Sequence, residues 1–142
     1  MSRSSCISPV KSSAGIARRY GSILADRLPR FLLRLEGLVL LIGAVVLYAD
    51  GSFGWVLFAV LFFAPDVSFA AYVFGPRLGA VVYDVLHTEI FPLALGTVGV
   101  AADMSLPVQL ALVWLGHTGM DRFLGYGLKY PTAFEDTHLN RV

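Results

Sequence analysis

Charge is scarce in this 142-residue chain: Asp, Glu, Lys and Arg together make up 15% of it, against ~25% in soluble domains. Cysteine is almost absent. The single Cys6 excludes an internal disulfide framework and a cysteine-built metal site. A phosphate-cradling Gly loop, a His-Glu-x-x-His zinc motif and a Gly-x-Ser-x-Gly elbow are all missing. Net charge is only +1, so nothing draws the chain to nucleic acid, and no such partner is expected. Hydrophobic residues, by contrast, reach 56%, above the ~45–50% of soluble domains. A chain of this size still exposes roughly a third of its unfolded surface after folding, so the excess cannot be hidden from water. Composition argues against a water-soluble enzyme and against a disordered chain. It argues for an integral membrane protein whose partner is the lipid bilayer.

Residues 1–30 differ from the rest. They carry Arg3, Lys11, Arg18, Arg19, Arg27 and Arg30 against Asp26, and they lack the continuous apolar run of a secretory signal. Ile16, Tyr20, Ile23, Leu24 and Leu28 recur at helix-face spacing. The stretch therefore reads either as an interfacial helix on anionic lipid or as a solvated basic tail. Four apolar spans follow, about 31–48, 53–74, 78–102 and 106–126, each suited to a hydrocarbon core about 30 Å thick. Their connectors are too short for anything but tight turns, and no stretch alternates as a barrel wall must. The expected fold is all-α, an antiparallel four-helix membrane bundle over 31–130, followed by a C-terminal tail over 131–142. With four spans, all eleven Lys and Arg residues fall on one side, and the opposite connectors hold only Asp50 and Asp103. The positive-inside rule then puts both termini in the cytoplasm. Tyr48, Trp55, Tyr72 and Tyr126 stand near span ends, where aromatic belts form. Gly116, Gly119, Gly125 and Gly127 permit close helix approach.

An ionisable group at the centre of a span costs on the order of 2.5–3.5 kcal/mol, so each one needs a reason. Glu36, Asp66, Asp84, His87, His117 and Asp121 all fall about 7–13 Å from the cytoplasmic ends of their spans at 1.5 Å per residue. Asp84 and His87 are three apart and His117 and Asp121 four apart, so each pair shares a helix face; Glu89 and Arg122 point elsewhere. Pro65 removes an N–H just ahead of Asp66 and bends the second span, and Pro92 can do the same in the third. Helices that bring carboxylates and imidazoles to one level echo the ligand logic of di-metal bundles. Hard oxygen donors with imidazole suit a divalent metal such as zinc, manganese or iron. Three readings fit these residues. They form the hydrogen-bonded core of a structural or partner-binding membrane subunit without catalysis, in which Arg122 neutralises an acid, or a metal site, or a proton or small-solute relay. The last calls for a homo-oligomer, since four spans rarely enclose a pathway alone.

Four segments carry a family resemblance. They are Arg34-Leu-Glu36-Gly37, Phe63-Ala-Pro65-Asp66-Val-Ser68, Gly75-Pro-Arg-Leu-Gly79-Ala-Val-Val-Tyr83-Asp84-Val-Leu-His87, and Trp114-Leu-Gly-His117-Thr-Gly119-Met-Asp121-Arg122-Phe-Leu-Gly125-Tyr126-Gly127-Leu-Lys129-Tyr130. With the ending Phe134-Glu-Asp-Thr137-His138-Leu139, the chain resembles the small bacterial membrane proteins grouped as domain of unknown function 4260. The resemblance implies a four-helix protein of the bacterial cytoplasmic membrane and supplies no activity. Where the family usually has Tyr-Asn before the third-span His, this chain has Tyr83-Asp84. Asn would be a poor ligand, so the resemblance moves Asp84 out of the ligand set to a place beside it.

The resulting expectation is a metal held by Glu36, Asp66, His87, His117 and Asp121, with Asp84, Arg122, Lys129, Tyr130 and His138 around it. If the site is catalytic, the chemistry is metal-assisted attack of water on a lipid-soluble or membrane-proximal substrate, with Asp66 or Asp121 as ligand or base. Lys129 and Tyr130 sit at its rim. Thr137 and His138 either fold back over it or belong to a soluble tail.

Overall fold

The computed structural model describes residues 13–132, Thr137 and Leu139, with side chains from Arg27 onward. Cys6 and His138 lie outside the described residues. The elements are α1 (Ser13–Asp50), α2 (Trp55–Leu61), a 3₁₀ segment (Ala64–Phe74), α3 (Pro76–Leu86), α4 (Ile90–Ala101) and α5 (Ser105–Leu124). No strand occurs among the described residues, only an isolated antiparallel bridge between Lys129 and Thr137. The chain is all-helical, and the helices form four rods joined by short turns. Helix α1 already begins at Ser13, so the basic stretch and the first span form one helix that runs through Pro29.

Two prolines set where the rods break. In a helix a proline ring clashes with the carbonyl four residues earlier and offers no N–H to it. Pro65 stands four residues after Leu61, where α2 ends, and the chain continues as an 11-residue 3₁₀ helix. Such runs seldom exceed 3–4 residues. Pro92, itself buried, stands four residues after Thr88. The third rod is accordingly broken over His87–Glu89 rather than continuous as the apolar run suggests. At the end of α3, Leu86 O accepts from Trp114 Nε1 at 2.6 Å, and Tyr83 O, which accepts the backbone N–H of His87 at 2.9 Å, also meets His87 Nδ1 at 2.9 Å. Irregular backbone inside a helical bundle persists only when its polar groups find partners in this way.

Three stretches are long and apolar enough to cross a membrane: Arg27–Asp50, Trp55–Phe74 and Pro76–Ala101. Their apolar side chains mostly face outward, since only 17%, 11% and 28% of their most apolar parts are buried. The fourth expected span is different. Helix α5 is the more polar rod and occupies the interior, with Ala111, Leu112, Val113, Gly116, His117, Thr118, Gly119 and Asp121 all buried. It packs against α1 and α4 and touches α2, while α3 packs on the 3₁₀ segment. The apolar rods thus take the outer surface and α5 takes the centre.

Glycine makes the α1–α5 contact possible. A Cβ on Gly119 would lie 2.7 Å from Leu41 N and 2.8 Å from Gly37 O, and one on Gly37 would lie 2.6 Å from Phe123 N. The two backbones touch there. At the opposite end, Tyr48 is fully buried, rings of Phe53 and Phe58 stand 5.2 and 5.0 Å from it, and its hydroxyl donates to Gly54 O at 2.9 Å. Tyr48 therefore pins the α1–α2 turn from inside instead of joining an interfacial belt. Its hydroxyl, placed near a turn, could reach a carbonyl and so tolerate burial.

Candidate metal centre

Four side chains from three rods converge. Asp66 comes from the 3₁₀ segment, His87 from the break after α3, and His117 and Asp121 from one face of α5. His87 Nε2 lies 3.3 Å from His117 Nε2, 3.4 Å from Asp121 Oδ2 and 3.6 Å from Asp66 Oδ1. His117 Nε2 lies 3.5 Å from Asp66 Oδ1 and 3.8 Å from Asp121 Oδ2. A tetrahedral ion with ligands about 2.1 Å away has ligand–ligand edges of about 3.4 Å. The five separations are close to that figure.

The imidazole of His87 is oriented for ligation. Tyr83 O can only accept, so Nδ1 carries the proton and Nε2 keeps its lone pair towards the cluster. Tyr83 contributes twice more: its ring stacks on His87 at 3.7 Å and 13°, and its hydroxyl donates to Asp121 Oδ2 at 3.3 Å. His117 is fully buried, with Phe62 edge-on at 5.6 Å and no hydrogen-bond partner for Nδ1 among the described residues. Packing and the Nε2 contact with His87 hold that ring. Asp66 is the accessible member, with its side chain 35% exposed against 11% for Asp121 and 3% for His87.

The other expected site residues take separate places. Glu36 is exposed on α1 and outside the cluster. Gly37 must face α5, and a one-residue step rotates the chain by about 100°. Asp84 Oδ1 accepts from Lys129 N–H at 2.6 Å, so it holds the chain beyond α5 rather than joining the ligands. Arg122 pairs with Glu89 at 3.0 Å, away from the histidines. Tyr130 is exposed.

Gly125 ends α5 in the left-handed conformation (φ 98°), which turns the chain back along α3. Lys129 is thereby buried, and Thr137 and Leu139 with it. Lys129 Nζ stands over the rings of Tyr83 at 4.4 Å and Phe69 at 4.6 Å. His87 already covers one face of Tyr83, so the ammonium takes the other. Burial pushes the Lys129 ammonium below the usual lysine range, and the carboxylates of Asp121, Asp84 and Asp66 act in the opposite direction. Tyr83 escaped the sequence reading as a site residue, although its spacing of four from His87 placed it within reach. Lys129→Met is expected to release Tyr83 and weaken metal binding about tenfold, as loss of an outer support of a ligand does. Lys129→Arg should restore most of it. Titration of purified protein with Co²⁺ measures both.

In chemical terms, two imidazole lone pairs and two carboxylates facing one point form a cation site. Three well-buried donors, two His and one carboxylate, with a fourth and more open position match the ligand count of hydrolytic zinc centres. No curated protein and no solved structure matches the chain. The profile of one family does match, over residues 30–142, and the chain belongs to that family, the domain of unknown function 4260.

Proposed function

We propose that this protein is a polytopic membrane protein, an antiparallel four-helix bundle of the bacterial inner membrane with both termini cytoplasmic. Its cluster of Asp66, His87, His117 and Asp121 binds a divalent metal, zinc best of all, and serves hydrolysis. The observation that carries this reading is the close convergence of four donor atoms, 3.3–3.8 Å over the five separations given above and all within 4.8 Å of one another. Without a cation, two carboxylates would face two imidazole edges in a largely buried space, which is costly. A bound divalent metal supplies a water acidified to near neutrality and a Lewis acid for a carbonyl.

The residues divide the work. His87, His117 and Asp121 are buried and held by Tyr83 or by packing, so they suit permanent ligands. Asp66, on the irregular 3₁₀ segment and more exposed, suits the fourth ligand position or the base that takes a proton from water. A purely structural metal would call for four equally enclosed ligands. Elemental analysis of the purified protein should find one equivalent of zinc or a related divalent metal. Asp66→Asn should retain metal while losing hydrolytic turnover. Protein that holds no metal after purification and takes up none on addition of Zn²⁺ overturns the reading.

A further inference from the structure

Resting on that hydrolytic reading, we infer that the substrate is an uncharged long-chain acyl ester, whose chain lies in an apolar pocket next to the cluster. The pocket, about 260 Å³, is walled by Leu61 and Pro65 from the second rod, Leu86 and Leu95 from the third, and Leu110 and Trp114 from α5. Pro65 and Leu86 are the chain neighbours of Asp66 and His87, and Trp114 stands one turn before His117. Chain neighbours of two ligands and a residue one turn from a third thus wall the pocket, and Ala64 at its margin is exposed on the outer surface.

Order along the rods identifies the occupant. The cluster lies about 5–16 Å from the end of the bundle where α5 stops and α3 starts, with Asp121 nearest that end and the histidines about 10–16 Å in. Leu110, Trp114 and Leu95 lie about 5–12 Å deeper still. A long-chain ester lying in the same sense has its carbonyl level with the donors and its hydrocarbon beyond. The alcohol part lies on the side of the bundle end, still flanked by the rods, where a charge is costly, most at the membrane centre and less towards its surface; this favours an uncharged alcohol part. Hydrolysis is balanced without further reactants: water oxygen bonds to the acyl carbon, the acyl–oxygen bond breaks, and the alcohol leaves with a proton. Asp66 is placed to receive the proton that water loses. Lipid tails are as apolar as the pocket, so the pocket adds position rather than affinity.

Two measurements in nanodiscs test this. The first uses Trp55→Phe protein, which leaves Trp114 as the remaining tryptophan. Ethyl dibromostearate should quench its emission, and adding Leu95→Phe, or Leu61→Phe if that variant folds better, should reduce the quenching. Equal quenching in open and filled pockets overturns the inference. This readout does not require metal, so it separates failure of the pocket from failure of the metal reading. The second compares p-nitrophenyl dodecanoate with p-nitrophenyl acetate on zinc-loaded protein. Filling the pocket should lower the dodecanoate-to-acetate turnover ratio about tenfold, the scale of a misplaced reacting group. An unchanged ratio, or faster cleavage of phosphatidylcholine than of the neutral ester, overturns it.

Discussion

His117→Ala is expected to weaken zinc binding by roughly a hundredfold or more. A complete four-ligand zinc site contributes about 10–16 kcal/mol, so one ligand accounts for on the order of 3 kcal/mol. His117 has no replacement nearby. Its ring is fully buried, and the neighbours on its far side are the apolar rings of Phe62 and Phe63. Combining it with His87→Ala should abolish binding, because the two remaining donors would be carboxylates alone, one of them on the more exposed Asp66. Chelator competition reads the affinity. Thermal unfolding of the metal-free proteins reads the packing loss separately, and the account expects the first to change far more than the second.

The largest effect on stability is expected at Gly119. In Gly119→Ala the new methyl group meets Leu41 N at 2.7 Å and Gly37 O at 2.8 Å. Both are backbone atoms of a long helix and cannot turn aside, so α1 must move off α5. The expected cost is about 2–3 kcal/mol. Gly43, two turns along α1, is the control: nothing lies within 4 Å of a Cβ there. Gly43→Ala should instead raise stability by about 0.5–1 kcal/mol through helix propensity. A shared melting temperature for the two variants would refute the close crossing.

Much of this architecture is legible from residues. Apolar length marks the rods, and short Gly- and Asp-bearing connectors mark the turns. Pro65 and Pro92 each break their rod four residues upstream, as proline sterics require. His117 and Asp121 share a face because α5 stays regular through both. Other features escaped for identifiable reasons. Helical-wheel angles pair Asp84 with His87, but His87 lies in a break where those angles no longer apply, and Asp84 turns to Lys129. Depth alone puts Glu36 in the ligand layer, whereas rotation about α1 is set by Gly37 against Gly119, which leaves Glu36 outside. The run 106–126 has the length of a fourth span, although α5 is more polar than the other three rods. Its polar residues are better explained by a central place, where neighbouring rods, not lipid, surround them. Tyr83 and Lys129 act through ring faces, which leave no periodic signature in a sequence.

Zinc-edge X-ray absorption on the purified protein addresses the metal most directly. The account predicts nitrogen and oxygen neighbours at about 2.0–2.1 Å, with the outer-shell pattern of two imidazoles, both lost in the His87→Ala, His117→Ala protein. A spectrum with no imidazole contribution, or one that the double substitution leaves unchanged, would contradict it.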